Sequence, residues 1–476
     1  MEKIKRFFST TMVYFTGNVL SKLVVFFLLP LYTAKINPEQ YGVYDLVIAF
    51  VNLIAPIIFI QIWDGMFRVS FDYPDNKDKY KIISNSLLVC LLGGIVYTAI
   101  FAIVQHLLYI EYAVYVFLYG LLYSIYYMYG YICRVFLDNK LYVVSGLVNT
   151  LLTAIINVIL ILAFNWDVKS LYLAPAIGMF VQILIIELKY KAIKNFKFNY
   201  INKNEITKMI KFSAPLCLAA ISYWLLNGFS KVLITNILGA SENGLFAIAT
   251  RFSSMVVLIM TVFQYAWNEL AYLMSNDENR VKIYNTCIDL LFKFVILGSA
   301  GVCIVIKLIF PYIINEQYSL ALYIIPATII GSMMNSMSDF IGTLFMTEKK
   351  TNNIMYSTMI AAAINIVLGI VLTKVFELHG ATIALLIAFT LLMIIRLIKA
   401  KKQFNIDYKL QNSLWLVCVL IIAVIEYYLV QNIAVDICAL LVIGGLFLLS
   451  VRKYNNVIWT SVLKNKLVSR GKNGTI

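Results

Sequence analysis

Fourteen apolar segments, each about as long as a membrane is thick, dominate this sequence and leave little chain between them. Charged or turn-rich breaks delimit them at 10–33, 41–62, 82–105, 112–133, 141–165, 171–188, 213–237, 244–268, 286–310, 318–346, 352–375, 378–398, 413–431 and 434–451. Backbone groups in lipid must bond internally, which leaves only helices or a closed barrel. Barrel strands would alternate in pieces of about ten residues, whereas Leu87–Ile103 and Ala434–Leu449 are continuously apolar. The expected fold class is all-α integral membrane, with about 14 transmembrane helices. Composition agrees: 62% of residues are hydrophobic and 13% charged, against about 45–50% and about 25% in soluble domains. The basic start, Met1–Phe8, resembles a signal peptide. The run that follows is too long, carries Lys22 and lacks a small-x-small cleavage site, so it is read as a retained first span.

Lysine and arginine orient the spans. With the N-terminus placed in the cytoplasm, 31 of the 39 basic residues fall in cytoplasmic segments and only Lys35, Lys169, Lys307 and Lys374 in outer loops. That bias places both termini inside, with an even number of helices. It also accounts for the net charge of +15 without invoking nucleic acid: the charge reports topology and contact with anionic head groups. The outer loops are too short for a catalytic domain. No phosphate-binding G-x-x-x-x-G-K-[ST] loop, G-x-S-x-G elbow or H-E-x-x-H pair occurs. The seven cysteines form no C-x-x-C pair and there are two histidines, His106 and His379, so no metal, cofactor or disulfide framework is expected. Asn202 with Glu205 three residues on has the form of a helix cap, and an amphipathic leading helix over 202–212 is expected at the membrane surface.

Three local matches at nearly constant spacing indicate an internal repeat. Ser21-Lys22 recurs as Ser230-Lys231, 209 residues on; Trp63, in Gln61-Ile62-Trp63-Asp64, recurs as Trp267, 204 on; Ile156-Asn157-Val158 recurs as Ile364-Asn365-Ile366, 208 on. Six helices per repeat keep both halves in one orientation, as in transporters built from parallel repeats. The expected domains are an N-terminal lobe at 1–200, a C-terminal lobe at 201–405, and a C-terminal pair of spans with a basic tail at 406–476.

Ionisable residues inside a membrane are costly and mark functional sites by default. Lys22 lies about twelve residues into span one, with Asn18 one turn earlier. Lys231 and Arg251 flank one tight outer turn at equal depth, roughly 12 Å in. Two such cations repel unless an anion or water screens them. An anion-binding cavity lined by Lys22, Lys231, Arg251 and Asn18 is therefore expected, the alternative being that these cations snorkel to head groups. Asp289 and Lys293, four apart, should neutralise each other. Asp45 and Asp339 are candidate proton or sodium sites, or else structural ion pairs across helices. Arg68, at the cytoplasmic exit of span two, is a candidate gate.

The motifs in order resemble those of the polysaccharide transporters, the lipid-linked oligosaccharide (O-antigen type) flippases, which share a superfamily with multidrug extruders and the lipid II flippase. Lys211-Phe212-Ser213-Ala214-Pro215 matches a "K-F/Y-x-x-P" pattern, Gly244-Leu245-Phe246-Ala247 a "G-x-Y-x" and Ala266-Trp267-Asn268-Glu269 an "A-W-x-P" with Glu269 at the proline. Phe67-Arg68 with Phe71-Asp72 resembles "R-Y/F-x-x-D/E"; Lys350-Thr351, Asn365 and Gly380-Ala381 resemble "K-K-T … N … G-x-x-G-A". Ser230-Lys231 stands where the family usually has Asp-Arg, which keeps the positive charge and removes its local counter-ion. The resemblance implies a two-lobed bundle with alternating access in the bacterial plasma membrane. It implies a substrate of undecaprenyl pyrophosphate carrying a short oligosaccharide, moved to the outer leaflet for O-antigen, capsule or exopolysaccharide assembly. Partners compatible with it are a polysaccharide polymerase with its chain-length machinery, and a proton or sodium ion for coupling. The competing readings are a cation-coupled multidrug extruder or lipid II flippase, an enzyme such as a polymerase or glycosyltransferase, and a scaffold. An extruder of cations should present carboxylates where this chain has lysine and arginine.

Overall fold

The computed structural model describes residues 19–20, 22–73, 75–273, 280–348, 350, 352–406 and 414–452, and these are helical with no strand among them. Helix α1 is Leu29–Lys35, α2 Pro38–Ile58, α3 Ile62–Ser70, α4 Asn76–Leu108, α5 Ala113–Val135, α6 Asn139–Leu162 and α7 Lys169–Tyr190. Then follow α8 Lys203–Asn227, α9 Phe229–Leu238, α10 Ala240–Leu273, α11 Arg280–Ile313, α12 Ile325–Thr347, α13 Asn352–Phe404, α14 Leu414–Leu429 and α15 Ile433–Arg452. Among the described residues, 11 helices are long and apolar enough to cross a membrane. Two of the fourteen apolar segments fall within α13, which breaks at Phe376 and Glu377, where φ and ψ leave the helical region.

Breaks and caps follow local chemistry. Asn37 opens α2 by accepting from the Gln40 N–H at 2.8 Å, with Pro38 at the first helical position, where its missing N–H costs nothing. After α2 the chain turns through Ile60 and Gln61, both at positive φ, and α3 starts afresh. Ser213 of α8 holds that turn: its hydroxyl accepts from the Gly65 N–H and donates to the Gln61 carbonyl, each at 3.0 Å. A Cβ at Gly65 would fall 2.6 Å from the Met209 carbonyl oxygen, so only glycine admits this approach of α3 to α8. The "K-F/Y-x-x-P" segment is thus an anchor for the broken second span. Asn202 does cap α8, accepting from the Asn204 N–H at 2.8 Å. However, α8 runs continuously from Lys203 to Asn227, so 203–212 is the first part of a spanning helix rather than a separate surface helix.

The chain forms two compact units. Within the described residues, the first holds everything to Arg251 together with Ile313–Ala321 and Thr358–Leu385; the second holds Phe252–Tyr312, Leu322–Ser357 and Leu386 onward. The first unit has a core of Phe59, Ile62, Met66, Met128 and Ile132. In the second, Trp267 stacks on Phe340 at 4.2 Å and 11°, and Phe345 packs against Phe404.

Candidate functional site

Polar density in the first unit centres where α2, α9 and α10 meet. Glycines make that meeting close. A Cβ on Gly42 would lie 1.8 Å from the Ala240 carbonyl oxygen, and one on Gly244 would lie 1.9 Å from that of Pro38. Backbone therefore touches backbone, and Asn243 ties the seam by donating to the Gly42 carbonyl at 2.7 Å. Gly239, at φ 105°, makes the turn between α9 and α10. The glycine of the "G-x-Y-x" motif is accordingly a packing requirement.

The charges lie further along each helix from this seam, Asp45 about one turn away and Arg251 and Lys231 about two. Asp45 of α2 is 3% exposed and forms a 2.8 Å ion pair with Lys231 of α9. Arg251 of α10 is within electrostatic reach of the same carboxylate, and its guanidinium donates to Tyr41 with Tyr44 alongside. One carboxylate thus faces two cations. The sequence comparison with Asp-Arg suggested that Lys231 lacks a counter-ion; the counter-ion comes instead from α2. Asp45 is correspondingly held in an ion pair across helices, the structural alternative weighed for it above.

The placement of Lys231 depends on a helix break. α8 ends at Gly228 and α9 restarts one residue later; a Cβ there would lie 2.5 Å from the Trp224 indole nitrogen. The orphaned Leu226 carbonyl accepts from Asn365 of α13 at 3.1 Å, and the same amide donates to Ser230 at 3.3 Å. Asn365 and Ser230 are both buried. The asparagine of the "K-K-T … N" motif is thereby a clip on the break that aims Lys231 at Asp45.

The other candidates lie elsewhere. Lys22 is helical and exposed and makes no ion pair among the described residues. Asn18 lies outside the described residues. Arg68 is exposed and paired with Asp72 at 3.2 Å, so the "R-Y/F-x-x-D/E" spacing is that of an i, i+4 ion pair. Beside it Arg134 lies over the Phe67 and Tyr131 rings, 4.5 Å from each centroid.

In the second unit Asp339 of α12 is not alone. Arg396 of α13 donates to it at 3.0 Å, to the Ser338 carbonyl at 3.0 Å, and to Ser357 at 3.1 Å. Arg396 is 4% exposed at its side chain, Asp339 53%. Arg396 is a buried helical residue. Lys307, counted among the outer-loop cations, is a partly buried residue of α11, bonded to Asp436 of α15 at 2.7 Å with Glu426 of α14 at 3.6 Å. Lys293 and Asp289 pair at 2.7 Å, as their spacing predicts.

This arrangement of broken and glycine-packed spans around buried charges is that of a multi-pass membrane transporter. The chain is similar in fold to the lipid II flippase MurJ in its inward closed conformation, with 14% identity, a TM-score of 0.66, and coverage of 95% of this chain and 100% of that one. It is similar also to an inward-facing multidrug resistance MATE family transporter of the MOP superfamily, at 12% identity and a TM-score of 0.63 over 81% of this chain and 94% of the other. A third likeness is to a MOP superfamily transporter from Pyrococcus furiosus described as having a reverse-polarity binding pocket, at 14% identity, a TM-score of 0.53, and coverage of 83% and 94%. The chain belongs to the polysaccharide biosynthesis protein family, whose model matches residues 8–267. No curated protein matches it significantly.

Proposed function

We propose that this protein is a flippase that moves an undecaprenyl-pyrophosphate-linked oligosaccharide from the cytoplasmic to the outer leaflet of the bacterial plasma membrane, with both termini in the cytoplasm and fourteen spans. Its family membership supports a role in polysaccharide assembly. The observation that carries the reading is the charge balance at Asp45: two cations, Lys231 and Arg251, for one buried carboxylate. Ionisable side chains gathered inside the membrane mark a functional site, and a cluster with two cations suits an anionic head group. A pyrophosphate would take Lys231 and Arg251 as donors, and a guanidinium suits phosphate oxygens geometrically. Lys22 adds a third cation to this reading, Arg68 a gate at the far end of the second span, and Asp339 a coupling group for a proton or sodium ion.

A cation-coupled extruder is the competing reading, since the fold is also similar to that of a multidrug resistance MATE family transporter. Asp45 is the carboxylate that reading would need, but Lys231 already occupies it. Replacing Lys231 and Arg251 together by glutamine should trap lipid-linked repeat units on the cytoplasmic face and abolish surface polysaccharide. Normal surface polysaccharide in that double variant would sink the anion reading.

A further inference from the structure

We infer that the face built from the exposed Asn52 and Tyr127 with the half-buried Tyr123 between them is a stacking surface for the sugar rings of the substrate. The inference rests on the flippase reading above and names the surface that meets the glycan rather than the pyrophosphate.

Two kinds of exposed surface occur on α2. Val43, Phe50 and Ile57 are exposed at seven-residue spacing, an apolar stripe suited to lipid. Asn52 is also exposed, two residues past Phe50 and so about 200° around the helix from that stripe. It lies fourteen residues after Pro38, about 21 Å along a helix of roughly 31 Å, well inside the membrane. A side-chain amide exposed at that depth is expensive against hydrocarbon and normal against a water-filled passage.

Tyrosines of α5 line the same place. Tyr119, Tyr123 and Tyr127 recur every fourth residue and share one helix face. Tyr123 donates to Asn52 at 2.5 Å, and its hydroxyl lies 3.4 Å from that of Tyr127, both contacts being exposed. The rings form a ladder: Tyr119 stacks with Tyr123 at 6.1 Å, Tyr123 meets Tyr127 edge-on at 4.9 Å, and Tyr127 stacks on Trp63 at 5.5 Å. Tyr127 is 37% exposed and Tyr123 half-buried, whereas Tyr119 and Trp63 are buried, so the accessible part of the ladder is Tyr123 and Tyr127. Through Tyr172, 6.4 Å from Tyr119 and 5.2 Å from Tyr44, it begins beside the Arg251 centre.

The chemistry fits a neutral or weakly charged glycan. A pyranose offers a C–H face to an aromatic ring and hydroxyls at its rim to phenols and an amide. Aromatic walls with a few placed polar groups are the usual form of such sites, and Tyr and Trp supply an apolar body with a polar handle.

The test uses the full chain in lipid nanodiscs and two probes: undecaprenyl pyrophosphate without sugar, and the glycan-bearing form extracted from a strain lacking this transporter. The intact protein should bind the glycan-bearing probe more tightly. Asn52→Leu and Tyr127→Leu, both at exposed positions, should lower affinity for that probe by about tenfold, the reach of one or two aromatic contacts, and leave the sugar-free probe unchanged. Tyr123→Phe should give a smaller, equally selective loss. Equal losses for both probes, or none for either, would overturn the stacking surface. An intact protein that binds both probes equally also removes the stacking surface while leaving the flippase reading intact. An intact protein that binds neither removes both.

Discussion

The two units carry the same frame with different fittings. In the first, Trp63 stacks on Tyr127 and Asp64 accepts from Tyr131 at 2.7 Å. In the second, Trp267 stacks on Phe340 and Asn268 accepts from Thr343 at 2.6 Å. The tryptophans are 204 residues apart and their stacking partners 213, so a contact of one span with the span two further on has been kept in both. The fittings diverge on that frame. With Tyr127 aligned to Phe340, the tyrosines at 119 and 123 fall opposite Ser332 and Ser336. The charges diverge as well: the first unit sets two cations against one carboxylate, whereas Asp339 and Arg396 match one to one. The difference teaches that the matching aromatic contacts are scaffold, and that the two units part company in their polar and charged side chains.

Four substitutions would break or sharpen that contrast. The largest effect is expected from Gly42→Ala in the seam of the first unit. Its Cβ would meet backbone at 1.8 Å, and overpacking that the backbone must absorb costs about 3 kcal/mol or more. Thermal unfolding in detergent should show a fall of several degrees, and an unchanged midpoint would mean that the seam is looser than its geometry. In the second unit the pair should respond asymmetrically. Asp339→Asn leaves the buried Arg396 without a full counter-charge, at a cost of about 2 kcal/mol. Arg396→Met leaves a half-exposed carboxylate that water can serve, at a cost of about 1 kcal/mol. The reverse order in denaturation experiments would show Asp339 to be the buried partner. Transport that falls in Asp339→Asn only under an imposed proton or sodium gradient would give this pair a coupling role and weaken the contrast with the first unit. The smallest effect is expected from Asn365→Ala, which deletes the clip on the Leu226 carbonyl at a cost of about 1 kcal/mol. It should reduce affinity for a pyrophosphate lipid more than it reduces stability, because it misdirects Lys231; a purely thermal effect would refute that.

Much of the fold is legible in the sequence, because apolar runs bounded by charge identify helices whatever they pack against. The family motifs were legible too, but their physical meaning was not. Ser213, Gly244 and Asn365 act on carbonyls of Gln61, Pro38 and Leu226, contacts that no local pattern encodes. Pairing failed for the same reason. Asp45 and Lys231 were weighed as separate candidates although they are one ion pair, since 186 positions separate them in the chain. Lys307 and Arg396 fall near the ends of apolar runs, where a hydropathy reading cannot tell a loop cation from a buried one. Asn52 and the tyrosine ladder escaped because 32 tyrosines make any single spacing unremarkable until exposure separates core rings from a lined passage.

The clip at the seventh span also bears on ion selectivity. Unwound helices in transporters often hold sodium by bare carbonyl oxygens. Here one carbonyl released by the break at Gly228, that of Leu226, already accepts from the Asn365 amide, and the first charged side chain beyond it is Lys231. A cation approaching that oxygen meets an N–H and, five residues on, an ammonium group, so this oxygen is a poor ligand for an alkali ion.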